Sequence, residues 1–131
     1  MRIEHKHTIV FVEDMTTARA FYEGVLEQQV QFDWGTIVLY EGDLAIHDGK
    51  DLLRKVFKRD DFTKERQGRR NLEVYFETDE LDAAFDRVSA AGTEIIHPVE
   101  VQEWGQRVFR CYDPDGHIVE VGAPMASSDG A

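Results

Sequence analysis

Two histidines and two glutamates stand where chemistry could be done. His7 precedes the run Thr8 to Val12, and Glu73 opens the run Glu73 to Glu77; each run leads into an acidic helix start, Asp14-Met15 in the first case and Glu80-Leu81 in the second. His47 and Glu120 fall in later strand-like runs of the same two halves. Neutral imidazole and carboxylate together suit a borderline divalent ion such as Ni, Co, Zn, Fe or Mn, whereas a lone cysteine, Cys111, excludes a thiolate cage. Four protein ligands leave about two positions open on an octahedral ion, where water or a substrate oxygen would bind. Of the four, Glu120 and Glu73 are also the candidate catalytic bases, because a carboxylate that loosens from the metal can move a proton.

The elements that must position these residues read as a duplication. Residues 8 to 12 are apolar or β-branched and suit a strand covered on both faces. Asp14 then caps a helix whose Met15, Ala18, Tyr22 and Val25 form one stripe. Leu81, Ala84, Val88 and Ala91 repeat that stripe, with Gly92 as the stop signal. The offset is 66 residues for both the first strand and the helix. Three strand candidates follow each helix: Gln29 to Asp33, Thr36 to Tyr40 and Leu44 to His47, then Glu94 to His97, Gln106 to Tyr112 and His117 to Gly122. Asp113-Pro-Asp-Gly116 is a strong turn between the last two. Alternation puts His7, Ile9 and Phe11 on the face opposite Thr8, Val10 and Val12, and Glu73, Tyr75 and Glu77 opposite Val74 and Phe76. Ala45 with His47, and Ile118 with Glu120 and Gly122, share the corresponding faces. The expected fold is α+β, with two paired βαβββ modules forming a cupped, barrel-like sheet whose ligand faces converge.

The expected organisation is a single domain over 1–131: module one 1–49, a linker 50–70, module two 71–124 and a tail 125–131 that frays. The linker carries Arg54, Lys55, Lys58, Arg59, Lys64, Arg66, Arg69 and Arg70, and its Leu52, Leu53, Val56 and Phe57 suit a short amphipathic helix. Arg66, Arg69 and Arg70 read equally as an anion-attracting group and as an exposed basic run. Net charge is −11, which argues against a nucleic-acid backbone as partner and for cations or neutral molecules. Apolar runs are short and broken by charge, and the first residues lack a signal-peptide pattern, so no membrane partner and a cytoplasmic location are expected. Cys111 allows no intrachain disulfide and reads as a buried strand residue. Trp34, Trp104, Phe11 and Tyr75 are candidates for stacking on a substrate, with Trp104-Gly105 the best placed. His5, His97 and His117 read as exposed, strand-terminal and helix-facing respectively.

The stretches His7 to Leu26 and Leu81 to Gly92, and Trp104-Gly105 followed by Asp113-Pro-Asp-Gly-His-Ile-Val-Glu120, resemble the vicinal oxygen chelate superfamily. That superfamily includes glyoxalase I, bleomycin and fosfomycin resistance proteins, methylmalonyl-CoA epimerase and extradiol dioxygenases. The resemblance covers nearly all of the chain outside linker and tail. It implies paired βαβββ modules around a site usually completed in a dimer, with His7, His47, Glu73 and Glu120 at the four ligand places. Bacterial glyoxalase I also uses two His and two Glu, in the order His, Glu, His, Glu, whereas the order here is His, His, Glu, Glu. Glu27 stands where the family usually has glycine, which implies an altered turn.

The function this implies is a metal-dependent, glyoxalase-like lyase or isomerase: a small substrate with adjacent oxygens chelates the ion, and Glu120 or Glu73 moves a proton at the neighbouring carbon. A rival from another class is a bleomycin-resistance-type protein that sequesters a cationic compound without chemistry. An extradiol dioxygenase with His7, His47 and one Glu on Fe(II) ranks last, since no further His is placed as its acid–base partner. A homodimer is expected because an isolated module would leave a sheet face open.

Overall fold

The computed structural model describes residues 1–125; residues 126–131, most of the expected tail, lie outside them. The chain forms two compact units, 1–67 and 68–131, so most of the expected linker travels with the first module.

In the first unit β1 (Thr8–Val12) leads into α1 (Met15–Arg19), which widens into π-helical turns over Ala20–Val25. Asp14 starts the helix as expected: its Oδ1 accepts from the Thr17 amide at 2.9 Å, supplying one of the partners the first turn lacks. The widened turn closes with Leu26 N donating to Phe21 O. Glu27 follows in the left-handed conformation, φ 57°, which glycine adopts without strain. β2 (Val30–Asp33), β3 (Ile37–Tyr40) and β4 (Leu44–Asp48) complete a sheet of order β1-β4-β3-β2, with β1 parallel to β4. α2 (Gly49–Phe57) realises the amphipathic linker helix.

The second unit repeats the plan with β5 (Glu73–Glu77), α3 (Leu81–Ala90), β6 (Ile95–Val101), β7 (Arg107–Tyr112) and β8 (Ile118–Gly122), in the order β5-β8-β7-β6. The fold class is α+β as expected, but each sheet is open, and neither closes into a barrel. A four-stranded sheet with free edges at β1 and β2, or at β5 and β6, has no strand pairing left to close it. No helix among the described residues is long and apolar enough to cross a membrane.

Each sheet buries one face. Val10, Val12, Val38, Tyr40 and Ile46 lie with Ala18, Phe21 and Tyr22 in the first core, and Phe109, Cys111, Val119 and Val121 lie with Leu81 and Val88 in the second. Phe85 of α3 meets Phe109 edge to face, 5.2 Å between centroids. Cys111 is buried, which pushes its thiol up to about 12 with help from Asp113. The other face of each sheet carries the candidate ligands, as strand alternation requires.

Candidate functional site

The first unit holds both candidate histidines, and they stand at different levels of its sheet. His7 lies just before β1, half-buried, with Nε2 lacking a partner. His47 pairs with Phe11, whereas Ala45 pairs with Ile9. His7 and Phe11 are four residues apart, about 13 Å of extended strand. Side chains that stand roughly perpendicular to a sheet do not converge over that separation. His47 is instead drawn to the start of α2. Its Nε2 lies 3.0 Å from Asp51 Oδ2, and Asp51 also accepts from Lys55 Nζ at 2.5 Å and Arg54 Nη2 at 2.6 Å. Lys55, His47 and Arg54 together hold the Asp51 carboxyl well below the usual carboxylate range.

The second unit brings its two candidates together. Glu120, 5% exposed, pairs with Tyr75 across β8 and β5, and Glu73 lies two residues earlier on the same face. Beside them, on the far side of β8 from Glu73, stands Arg110 of β7, directly opposite Glu120. Its Nε donates to Glu120 Oε1 at 2.8 Å and lies 3.6 Å from Glu73 Oε1. Its Nη2 donates to Gln102 Oε1 at 3.1 Å, and its Nη1 lies 2.9 Å from His97 Nε2. A guanidinium only donates, so His97 Nε2 must accept, which places the ring proton on Nδ1, 2.8 Å from the Pro98 carbonyl oxygen. Burial raises the Glu73 carboxyl, and the hydrogen bond and charge of Glu120 raise it further, while Arg110 acts the other way.

Comparing the two sheets sets the register. Tyr75 and Glu120 correspond to Ile9 and Ala45, while His47 corresponds to Gly122, which pairs with Glu77. The place matching Glu120 in the first module is therefore an alanine. Within the first unit His7 and His47 lie at different levels of the sheet, and within the second the Arg110 guanidinium engages Glu120 and lies near Glu73. Among the described residues, no group of three or more His, Cys, Asp and Glu is gathered so as to hold a metal ion.

Other singled-out residues sort simply. His5 is exposed, 3.1 Å from Thr8 Oγ1, and His117 is buried at the turn, its amide donating to Asp113 Oδ1 at 2.9 Å. Trp34 stacks on Phe32, ring centroids 5.3 Å apart. Arg66, Arg69 and Arg70 are exposed. Arg110, Gln102 and the role of His97 were missed. The turn Asp113 to Gly116 carried the signal, because a tight turn fixes which β7 residue faces Glu120.

The model of the Glyoxalase-like domain matches residues 5–126. A crystal structure of a protein of unknown function from Agrobacterium tumefaciens str. C58 is 42% identical, with 95% of this chain and 96% of that chain covered and a TM-score of 0.88. A glyoxalase/bleomycin resistance protein/dioxygenase from Nocardioides is 24% identical over 94% of this chain and 84% of its own, TM-score 0.71. Lactoylglutathione lyase from Agrobacterium tumefaciens is 21% identical over 92% of this chain and 93% of its own, TM-score 0.71. At these two identities the likeness is one of fold. No curated protein is significantly similar in sequence.

Proposed function

Because this chain belongs to the Glyoxalase-like domain family, we propose that it works as a bleomycin-resistance-type binding protein, holding a small cationic compound on the open face of its second sheet. The observation that carries this reading is the Arg110 guanidinium seated against Glu120 and beside Glu73: the face is already complementary to an organic cation. Glu73 and Glu77, both exposed on that face, are in place to meet the ligand's charge. The net charge of −11 adds long-range attraction that raises the encounter rate for cations. Burial keeps the Arg110–Glu120 pair from exchanging freely with solvent, so this pair serves as the floor of the site rather than its ligand-binding rim.

The test is calorimetric titration with bleomycin and spermidine, against neutral and anionic compounds of similar size. The expected result is one-to-one binding of a cation that weakens with added salt and weakens further in the Glu73→Gln/Glu77→Gln double variant. Binding of neither cation at millimolar concentration, or equal binding of anions, would sink the reading.

A second reading keeps the glyoxalase-like lyase or isomerase, and the raised Glu73 carboxyl beside Glu120 favours it. A carboxyl whose proton affinity is raised by burial and by a neighbouring carboxylate is suited to moving a proton next to a carbonyl. Turnover of dicarbonyl adducts or hydroxy acids that disappears in Glu120→Gln supports it; full turnover in that variant removes Glu120 from the role. On either reading a homodimer is proposed, supported by Ile9, Phe32 and Trp34 exposed in the first unit. A monomer at micromolar concentration in sedimentation would contradict it.

A further inference from the structure

Beside the carboxylates of the second unit lie two aromatic residues, joined through one glutamine, that the proposed function does not use. Trp104 is 58% exposed and Tyr75 is 38% exposed, yet neither polar tip is left to solvent. Trp104 Nε1 donates to Gln106 Oε1 at 2.9 Å, and Gln106 Nε2 donates to Tyr75 Oη at 2.7 Å and to the Ala123 carbonyl at 2.7 Å. Tyr75 Oη in turn donates to Glu77 Oε2 at 2.6 Å. The Gln106 amide thus has both N–H groups and its oxygen engaged, and it is buried. Its position depends on Gly122, where a Cβ would collide with Gln106 Nε2. The turn carrying Trp104 is closed by Gly105 N to Gln102 O and Gln102 N to Gln106 O, both 2.8 Å, with Gly105 at φ 94°. Gln102 of this same turn accepts from Arg110, so one short segment ties the aromatic pair to the carboxylate centre.

A large apolar ring held in place while exposed has lost its rotamer freedom before any ligand arrives, which is what preorganised recognition needs. We propose that Trp104 and Tyr75, locked through Gln106 beside Glu77, form an aromatic platform that selects an organic ammonium or amidinium ion with an apolar surface over a small inorganic cation of equal charge. The physical basis is attraction of a cation to the ring faces combined with burial of the ligand's apolar part. The inference rests on the cationic-ligand reading above and names the class of ligand that reading would take.

The experiment is isothermal titration with benzamidinium, with uncharged benzamide and ammonium chloride as controls. Wild-type protein is expected to bind benzamidinium about tenfold or more tightly than either control. Trp104→Ala, at an exposed position, should fold normally and bind about three- to tenfold more weakly, with Trp104→Phe between it and wild type. Gln106→Met, which frees the rings without removing them, should weaken binding by a similar factor while circular dichroism remains unchanged. If wild type binds benzamidinium and Trp104→Ala binds it equally well, the platform is overturned and the cationic reading survives. If wild type binds no cation, both fall together.

Discussion

Three residues cross each sheet at the same place in the same topology: Ile9, Ala45 and Leu39 in the first unit, Tyr75, Glu120 and Arg110 in the second. One row is wholly apolar and the other holds a part-buried ion pair and a tyrosine. On the opposite, helix-covered face the corresponding rows are Val10, Ile46 and Val38, and Phe76, Val121 and Phe109, and these agree in character. The difference between faces follows from what each must do. A face under a helix has to be apolar to stabilise the unit, so duplication leaves it alike. The open face is not bound by that requirement, and there the two copies have taken different chemistries. Chemical function is therefore to be sought where the copies disagree.

Transplanting one side of the row without the other should have the largest effect. Ala45→Glu places a carboxylate at a fully buried position opposite Leu39, with no guanidinium to meet it. A loss of about 3–5 kcal/mol is expected in urea unfolding, comparable to breaking a buried pair. A cost below about 1 kcal/mol would show that the first sheet has a partner for the carboxylate and that the two rows do not differ in this respect. Arg110→Ala follows, leaving Glu120 buried without its donor at a cost of about 3 kcal/mol. The double variant Arg110→Leu/Glu120→Ala, which copies the first row into the second, should recover most of that stability because both charges leave together. Cation binding, which rests on Glu73 and Glu77, should persist in that variant, which separates stability from function on one face.

A smaller effect is expected in the first unit from Asp51→Asn, which weakens the hold on His47, Lys55 and Arg54 by about 1–2 kcal/mol. Because Asp51 is depressed in the folded state, its contribution is present above the ordinary aspartate range and is lost as pH falls through the folded value; the wild-type and variant stability curves should approach one another in strong acid. Glu73→Gln gives the smallest change, with the opposite sign. Its carboxyl is raised in the folded protein, so the charged form opposes folding; the variant should gain slightly at pH 7, and the gain should vanish below the ordinary glutamate range. Thermal melts at pH 7 and pH 3 decide it, and a loss at pH 7 would place Glu73 in a stabilising ion pair with Arg110 instead.

Much of the open-face contrast could be read from the chain. Alternation put Glu73, Tyr75 and Glu77 together and set Ala45 beside His47, and the hairpin turns at Glu41 to Asp43 and Asp113 to Gly116 constrain which residues of β3 and β7 face β4 and β8. Arg110 opposite Glu120 is within reach of that alternation and turn, although an arginine, being no metal ligand, carries no such signal by its type. That His47 and Glu120 stand at different levels of their sheets was not legible for another reason. Their levels depend on how β4 slides against β1 and β8 against β5, and no local turn joins those parallel strands.

By itself the sequence determined the elements and the repeat: the Asp14 cap, the two helix stripes, the two-residue alternation and the Asp-Pro-Asp-Gly turn are local, short-range preferences of the backbone. Only the tertiary structure decided which side chains share a centre. That depends on register between strands distant in sequence, where a shift of two residues keeps every side chain on its face and changes every neighbour, placing Ala45 rather than His47 level with Ile9, as Glu120 is level with Tyr75.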